Sequence, residues 1–260
     1  MISIAELDEY SGRLGLARGQ VEKDYLQYQA LQFIGQTTGS DLVFKGGTCL
    51  QKVFGLDRFS EGLDFSLNRG IRDGPGLDGM IGHFEALGYP AVERPAAGRG
   101  GKGSFRILVE GPLFDGGPLS RCSLTVNISS RGDLAREPLV KRLVPPYDEI
   151  SPMAVLHMGA GEILAEEVRA LVTRDKARDI YDLHFLLQKG VRPGRALVDA
   201  KLSFYGARLS KTLLRSRVAS KRRIWDAELG PLLRPAPPDF GAVSADVMKG
   251  LEALFERAGR

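Results

Sequence analysis

Two short stretches hold the residue types and spacing best suited to chemistry: Val43-Phe44-Lys45-Gly46-Gly47-Thr48-Cys49-Leu50 and Arg58-Phe59-Ser60-Glu61-Gly62-Leu63-Asp64-Phe65. The first reads as an apolar strand, a glycine turn and a helix start. Glycines let such a backbone approach a ligand, and the first N–H groups of a helix face an anion. Lys45 offers a point charge to triphosphate oxygens, and Thr48 is expected to cap the helix. In the second stretch Leu63 and Phe65 alternate with Asp64, so the carboxylate projects from the opposite face of a short strand. An acid beside a phosphate turn is where a magnesium–triphosphate or manganese–triphosphate belongs. Gly46, Gly47 and Thr48 would supply backbone N–H groups, and Arg58 would support the loop or a phosphate. Ser60 either contacts a phosphate or caps a turn.

The Lys-Gly-Gly-Thr-x-Leu turn followed by Arg-Phe-Ser-Glu-x-Leu-Asp-Phe resembles the AbiEii/AbiGii toxin family of nucleotidyltransferases, in the polymerase-β-like superfamily. Val21-Glu22-Lys23-Asp24-Tyr25-Leu26 is similar to the family's entry helix. Glu162-Ile163-Leu164-Ala165-Glu166 and Arg174-Asp175-Lys176-Ala177-Arg178-Asp179-Ile180-Tyr181-Asp182-Leu183 resemble its helical half, and Trp225 with Leu229 its closing segment. Residues 20–70 and 160–190 carry the strongest match. The resemblance implies an α+β fold: a mixed-sheet nucleotidyltransferase domain flanked by helices, then an α-helical domain. It also implies transfer of a nucleotide from a nucleoside triphosphate, with tRNA 3′ ends among the acceptors, Mg2+ or Mn2+ as cofactor, and a cognate antitoxin as partner. Asp179 and Asp182 join Asp64 as candidate catalytic residues on the same ground.

Three positions depart from the family pattern. Active members pair two carboxylates on one strand face and add a third from a neighbouring strand; here Gly62 replaces the first of the pair and Asn127 stands where the third is expected. An amide is a weak, uncharged metal ligand that takes no proton. Glu167 occupies a helix position that the family commonly gives to a basic residue. Two readings stay open. In one, a weakened or rearranged site, completed by acids such as Glu61, Glu166, Asp179 and Asp182, still transfers nucleotides. In the other, a degenerate member binds nucleotide or RNA without turnover.

Elsewhere the sequence bounds the answer. At 260 residues with 43 % hydrophobic content, the chain can bury a substantial core. Cys49 and Cys122 are too few for a disulfide framework, and His83, His157 and His184 form no metal-ligand spacing with them. His157 and His184 sit among apolar residues and read as core or boundary side chains. With neither a signal-like start nor an apolar run long enough for a membrane span, a cytoplasmic protein is expected. From Lys201 to Arg223 there are eight basic residues and no acidic one. Apolar residues recur between them at helical spacing, so the bases, Lys211, Arg215, Lys221 and Arg222 among them, are expected on an exposed face that attracts either RNA phosphates or an acidic partner.

The positioning elements can be read coarsely. Residues 3–17 and 20–37 read as helices, 42–44 and 63–67 as strands, 48–54 and 77–87 as helices, and 104–110 and 122–129 as strands. The segments 68–79 and 95–103 read as glycine-rich loops, the second able to touch phosphate. Pro145, Pro146 and Pro152 mark a linker, placing a boundary near residue 148 with domains over 1–148 and 149–260 and a helical pattern after it. Asp179 and Asp182 lie three apart on one helical face: either Asp179 pairs with Arg174 or Arg178 and locks two helices together, or one of the two aspartates contributes to the site.

Overall fold

The computed structural model describes residues 2–71, 77, 79–95 and 103–256, so 72–76, 78 and 96–102 of the two expected loops lie outside the described residues. Its contacts divide the chain into two units. One takes the chain up to Val53, Ser60–Leu134 and Pro138–His157; the other takes Phe54–Phe59, Ala135–Glu137 and the chain from Met158.

The first unit is a mixed seven-stranded sheet with helices, ordered β3-β4-β5-β2-β1-β7-β6. The strands are β1 (Leu42–Lys45), β2 (Gly62–Leu67), β3 (Ala91–Pro95), β4 (Ser104–Val109), β5 (Cys122–Ser129), β6 (Leu139–Leu143) and β7 (Met153–His157). β2 runs parallel to β5 and antiparallel to β1, while β7 runs parallel to β1. Helices α1 (Ile4–Leu14), α2 (Arg18–Thr38) and α4 (Gly79–Ala86) accompany it, and α3 (Gly46–Cys49) continues directly into a wider helical turn over Leu50–Phe54. Strict alternation makes β5 two-faced: Cys122, Leu124, Val126 and Ile128 are buried, while Ser123, Thr125, Asn127 and Ser129 line the other face. α2 packs on β5 and β7. Val21, Tyr25, Tyr28 and Leu31 are buried as their spacing requires, yet so are the polar neighbours Glu22, Asp24, Gln27 and Gln29. Each of these polar residues has a bond: Glu22 accepts from the Leu113 amide, Asp24 from Lys52 at 2.6 Å and from the Tyr147 hydroxyl.

Three strands differ from the sequence reading. β3 carries Glu93 and Arg94 on an edge of the sheet, where charge protects an open ladder and erases the apolar signature. β6 and β7 form a hairpin on the far edge, so the stretch after residue 148 is not helical throughout; the sheet runs on to His157. Pro145, Pro146 and Pro152 sit in the connection between those strands, where no ladder N–H is needed. The prolines mark the turn of a hairpin.

The second unit is helical: α5 (Ala160–Thr173), α6 (Arg178–Gln188), α7 (Arg195–Ser203), α8 (Lys211–Ser220), α9 (Trp225–Leu229) and α10 (Phe240–Gly250). Ile163, Leu164, Val168 and Leu171 of α5 and Ile180, Leu183 and Leu186 of α6 supply its core. Trp225 packs against Tyr181 and Phe240 and donates to the Pro238 carbonyl. Glu162 ties in the crossing segment by accepting from the Ala135 and Arg136 amides. Its counter-charge is Lys201, 2.6 Å from Glu162, 3.0 Å from Glu166 and 2 % exposed. Lys201→Met would strand two buried carboxylates and is expected to cost about 3–5 kcal/mol, whereas the exposed Arg215→Met should stay within about 0.5 kcal/mol of wild type. Urea unfolding of the two variants checks this; equal stabilities would contradict the assignment of Lys201 to the core.

Candidate nucleotide site

Three neighbouring strands bring Lys45, Asp64 and Asn127 into one row. Lys45 is opposite Asp64 in the antiparallel β1/β2 pair, and Asp64 is opposite Asn127 in the parallel β2/β5 pair. The Asn127 amide donates to Asp64 Oδ1 at 3.0 Å and accepts from the Ser104 hydroxyl at 2.8 Å. The position expected for a third carboxylate thus lies beside Asp64, but holds a neutral side chain. Gly62 lies two residues before Asp64, and a Cβ there would meet nothing closer than the Thr125 carbonyl at 3.7 Å. That position has room for a side chain.

The turn meets the same carboxylate. Gly46 has φ +72°, and a Cβ on it would stand 2.9 Å from Asp64 Oδ2. Both the left-handed backbone and the lack of space require glycine. Because α3 begins at Gly46 itself, Thr48 lies inside the first turn rather than at the cap. Its buried hydroxyl sits 2.8 Å from Ser60 Oγ and donates to the Gly62 carbonyl. Ser60 is held further by Gln51, which accepts from its amide, and by Gln27, which donates to its carbonyl. Thr48 and Ser60 therefore join the turn to the start of β2. Behind the turn, Lys52 pairs with Asp24 of α2 and lies 3.8 Å from the centre of the Tyr28 ring, with its side chain 1 % exposed. The segment that resembles the family's entry helix has this anchoring role.

A second carboxylate near this row escaped the sequence reading. Asp133, in the loop after β5, is buried; it accepts from Ser66 at 2.9 Å and from Ser129 at 3.3 Å, with Lys45 Nζ at 3.3 Å. Ser66 and Ser129 face one another across β2 and β5, one row beyond Asp64 and Asn127. Only the alternation of these strands could have hinted at it, since nothing in the Arg131-Gly132-Asp133 loop predicts inward placement. Among the described residues no group of three or more histidine, cysteine or acidic side chains gathers to hold a metal ion.

The remaining candidates belong to the helical unit. The Arg58 guanidinium is 3 % exposed and forks onto Asp182, with Nε 2.6 Å from Oδ1, while Nη1 donates to the Phe59 carbonyl. Arg174 forks in the same manner onto Asp179, Nη2 lying 2.6 Å from Oδ1. Asp179 is thus clamped by arginine, yet its pKa is raised, because burial outweighs what the Arg174 bonds take away. Between the pairs sits Glu167, whose Oε2 is buried without a hydrogen-bond partner and 4.0 Å from Arg174. The basic stripe is mixed. Arg215 and Arg222 are exposed, and Lys211 is partly exposed beside Glu252. Lys221 is not on that surface: it is fully buried, donating to the Arg174 carbonyl and to Asp175 at 2.6 Å. His157 is buried at the end of β7, and His184 lies 3.7 Å from Asp246.

Burial, with Asp182 and Asp179 nearby, pushes Glu167 up to about 8, against the opposing pull of Arg174 and Arg58. The folded protein therefore keeps a proton that the unfolded chain releases near the ordinary carboxyl value. This contribution to stability is complete below about pH 4.5 and lost as pH rises through about 8, by up to about 1.4 kcal/mol per pH unit. Glu167→Gln should flatten the fall and leave the variant more stable than wild type at about pH 8. Urea midpoints measured across the window check this; parallel profiles for the two proteins would contradict it.

Comparison with known proteins bears on the fold and the family. The model of the AbiEii nucleotidyltransferase toxin family, described as part of a type IV toxin–antitoxin system, matches residues 33–256. No curated protein matches the chain. The nucleotidyltransferase toxin MenT4 of Mycobacterium tuberculosis H37Rv superposes with a TM-score of 0.69 at 21 % identity, over 100 % of this chain and 91 % of that one. JHP933 of Helicobacter pylori gives 0.57 at 20 % identity, over 92 % and 93 %. Those likenesses establish the fold, an α+β mixed sheet with flanking helices and a C-terminal helical part. The match over 33–256 establishes more: the chain belongs to the AbiEii family of nucleotidyltransferase toxins.

Proposed function

We propose that this protein transfers a nucleotide from a nucleoside triphosphate to the hydroxyl of an RNA acceptor, tRNA being the first candidate, at a metal site reduced to one strand carboxylate. The observation that carries this reading is the closeness of the Gly46 backbone to the Asp64 carboxylate, with the family's third acidic position occupied by Asn127 beside it. Backbone N–H groups at Gly46, Gly47 and Thr48, with Lys45, would hold the triphosphate. Asp64 would be the charged protein ligand of a magnesium or manganese ion. That donor set fits an ion delivered with its nucleotide, because magnesium commonly binds through one or two carboxylates plus substrate phosphates. When bound, the ion supplies positive charge against the triphosphate. The acceptor oxygen attacks the α-phosphorus, pyrophosphate leaves, and the turn and Lys45 act by positioning and by charge.

In the helical unit, Asp179 and Asp182 serve this function by fixing Arg174 and Arg58, while the exposed Arg215 and Arg222, with Lys211, would take the acceptor's phosphates. An antitoxin partner belongs to the same reading. No helix among the described residues is long and apolar enough to cross a membrane. A second reading has its own support: the Asn127 amide already bonds one oxygen of Asp64, which favours a member that binds nucleotide without turnover.

Incubation with α-labelled nucleotides, manganese or magnesium and total tRNA decides between them. Label transfer reduced about 100-fold or more by Asp64→Ala is expected. A triphosphate-dependent thermal shift without transfer would establish the binder, and absence of both would overturn the proposal. Gly62→Asp with Asn127→Asp, which places one carboxylate two residues before Asp64 and another on the strand beside it, should tighten magnesium binding by roughly tenfold or more. Unchanged affinity would show that these positions do not face the metal.

A further inference from the structure

We infer that Phe204, on the turn joining α7 to α8, is a stacking platform for an unpaired base of single-stranded RNA, with Arg208 and Arg215 taking phosphates of the same strand. This rests on the RNA acceptor proposed above and adds to it a way of holding an unpaired 3′ end.

A single apolar side chain on a surface is ordinary. Phe204 stands out by how it is held and by the charges that follow it. α7 ends in a glycine turn: the Ala207 amide donates to the Leu202 carbonyl, the Gly206 amide donates to the Ser203 carbonyl, and Gly206 has φ +61°. This left-handed termination fixes the residues just before it. Phe204 is one of them and is 48 % exposed. Its neighbour Tyr205 has the Arg169 guanidinium 4.8 Å from its ring centre, and Arg169 pairs with Glu166, so the turn is tied to α5. Arg208 follows the turn and Arg215 lies on α8, both exposed. Among the described residues no carboxylate pairs with either arginine, whereas Glu252 stands 3.3 Å from Lys211. The segment from Lys201 to Arg223 holds no acidic residue of its own. An ordered, exposed ring followed by cations of this kind suits a single strand, because every base offers a π-face and every nucleotide a phosphate. The bases of a duplex are stacked on each other and leave no face for the ring.

Fluorescence anisotropy with a labelled oligoadenylate, and with an RNA duplex of the same length, tests this. Phe204→Ala should weaken oligoadenylate binding about tenfold and leave duplex binding within about twofold of wild type. Phe204→Tyr keeps an aromatic face and should retain most of the affinity. Arg215→Gln should weaken both probes by similar factors and lower the salt dependence of both. These side chains are exposed, so the variants are expected to fold as wild type does. Wild-type oligoadenylate affinity in Phe204→Ala, equal losses on the two probes, or a wild type that binds no oligoadenylate, as a side chain reserved for a protein partner would give, would each overturn the inference. The transfer reaction proposed above fails separately: oligoadenylate bound through Phe204, with no label passed to tRNA, would remove the reaction and leave the platform.

Discussion

One contact constrains the rest of the site: the Gly46 backbone, in a left-handed conformation, lies so close to the Asp64 carboxylate that no side chain fits between them. Strand pairing alone would bring the two segments near, since Lys45 and Asp64 are cross-strand partners. Closing the last gap takes the Thr48 hydroxyl, which spans to Ser60 and Gly62, and the Lys52–Asp24 pair, which pins the helix behind the turn to α2. Every residue in that set has a hydrogen-bonding or steric reason for its type. In the proposed site the turn and the Asp64 carboxylate would already be held in place when a charged substrate arrives, so little reorganisation would be needed.

Charge is distributed unequally over the molecule. At the turn, Gly62 and Asn127 stand where acids are expected, and Asp133 is occupied with Lys45 and two serines. In the helical unit Glu167, Asp179 and Asp182 face Arg58 and Arg174 inside a core, so carboxylates are in excess and one of them keeps its proton. Buried ion pairs of this kind add little net stability relative to apolar packing, but losing one partner is costly. They fix how α5, α6 and the Arg58 segment pack, and Lys201 and Lys221 do the same for the segments around Glu162 and Asp175.

Much of this was legible where a physical period operates. The alternation of Leu63, Asp64 and Phe65, and of Leu124, Val126 and Ile128, sets Asp64 and Asn127 on the faces opposite those apolar residues, while the expectation of Asn127 beside Asp64 comes from the family resemblance. Long-range pairing was not legible. Lys201 and Lys221 look like members of a solvated stripe because a lysine's sequence neighbours do not reveal a carboxylate thirty or more positions away. Arg58 reads as support for either the loop or a phosphate; its guanidinium bonds the Phe59 carbonyl of that loop, but its long-range partner Asp182 is not visible from its neighbours. Thr48 reads as a cap because the sequence does not show that α3 starts at Gly46. Prolines hid the β6/β7 hairpin, and Asp133 had no motif around it at all.

The most direct test of the account is a crystal structure with manganese and a nonhydrolysable nucleoside triphosphate, the metal located by its anomalous signal. The account predicts an anomalous peak within coordinating distance of Asp64 and triphosphate oxygens on the Gly46–Thr48 amides. A nucleotide bound elsewhere, or at the turn with no metal beside Asp64, would contradict it.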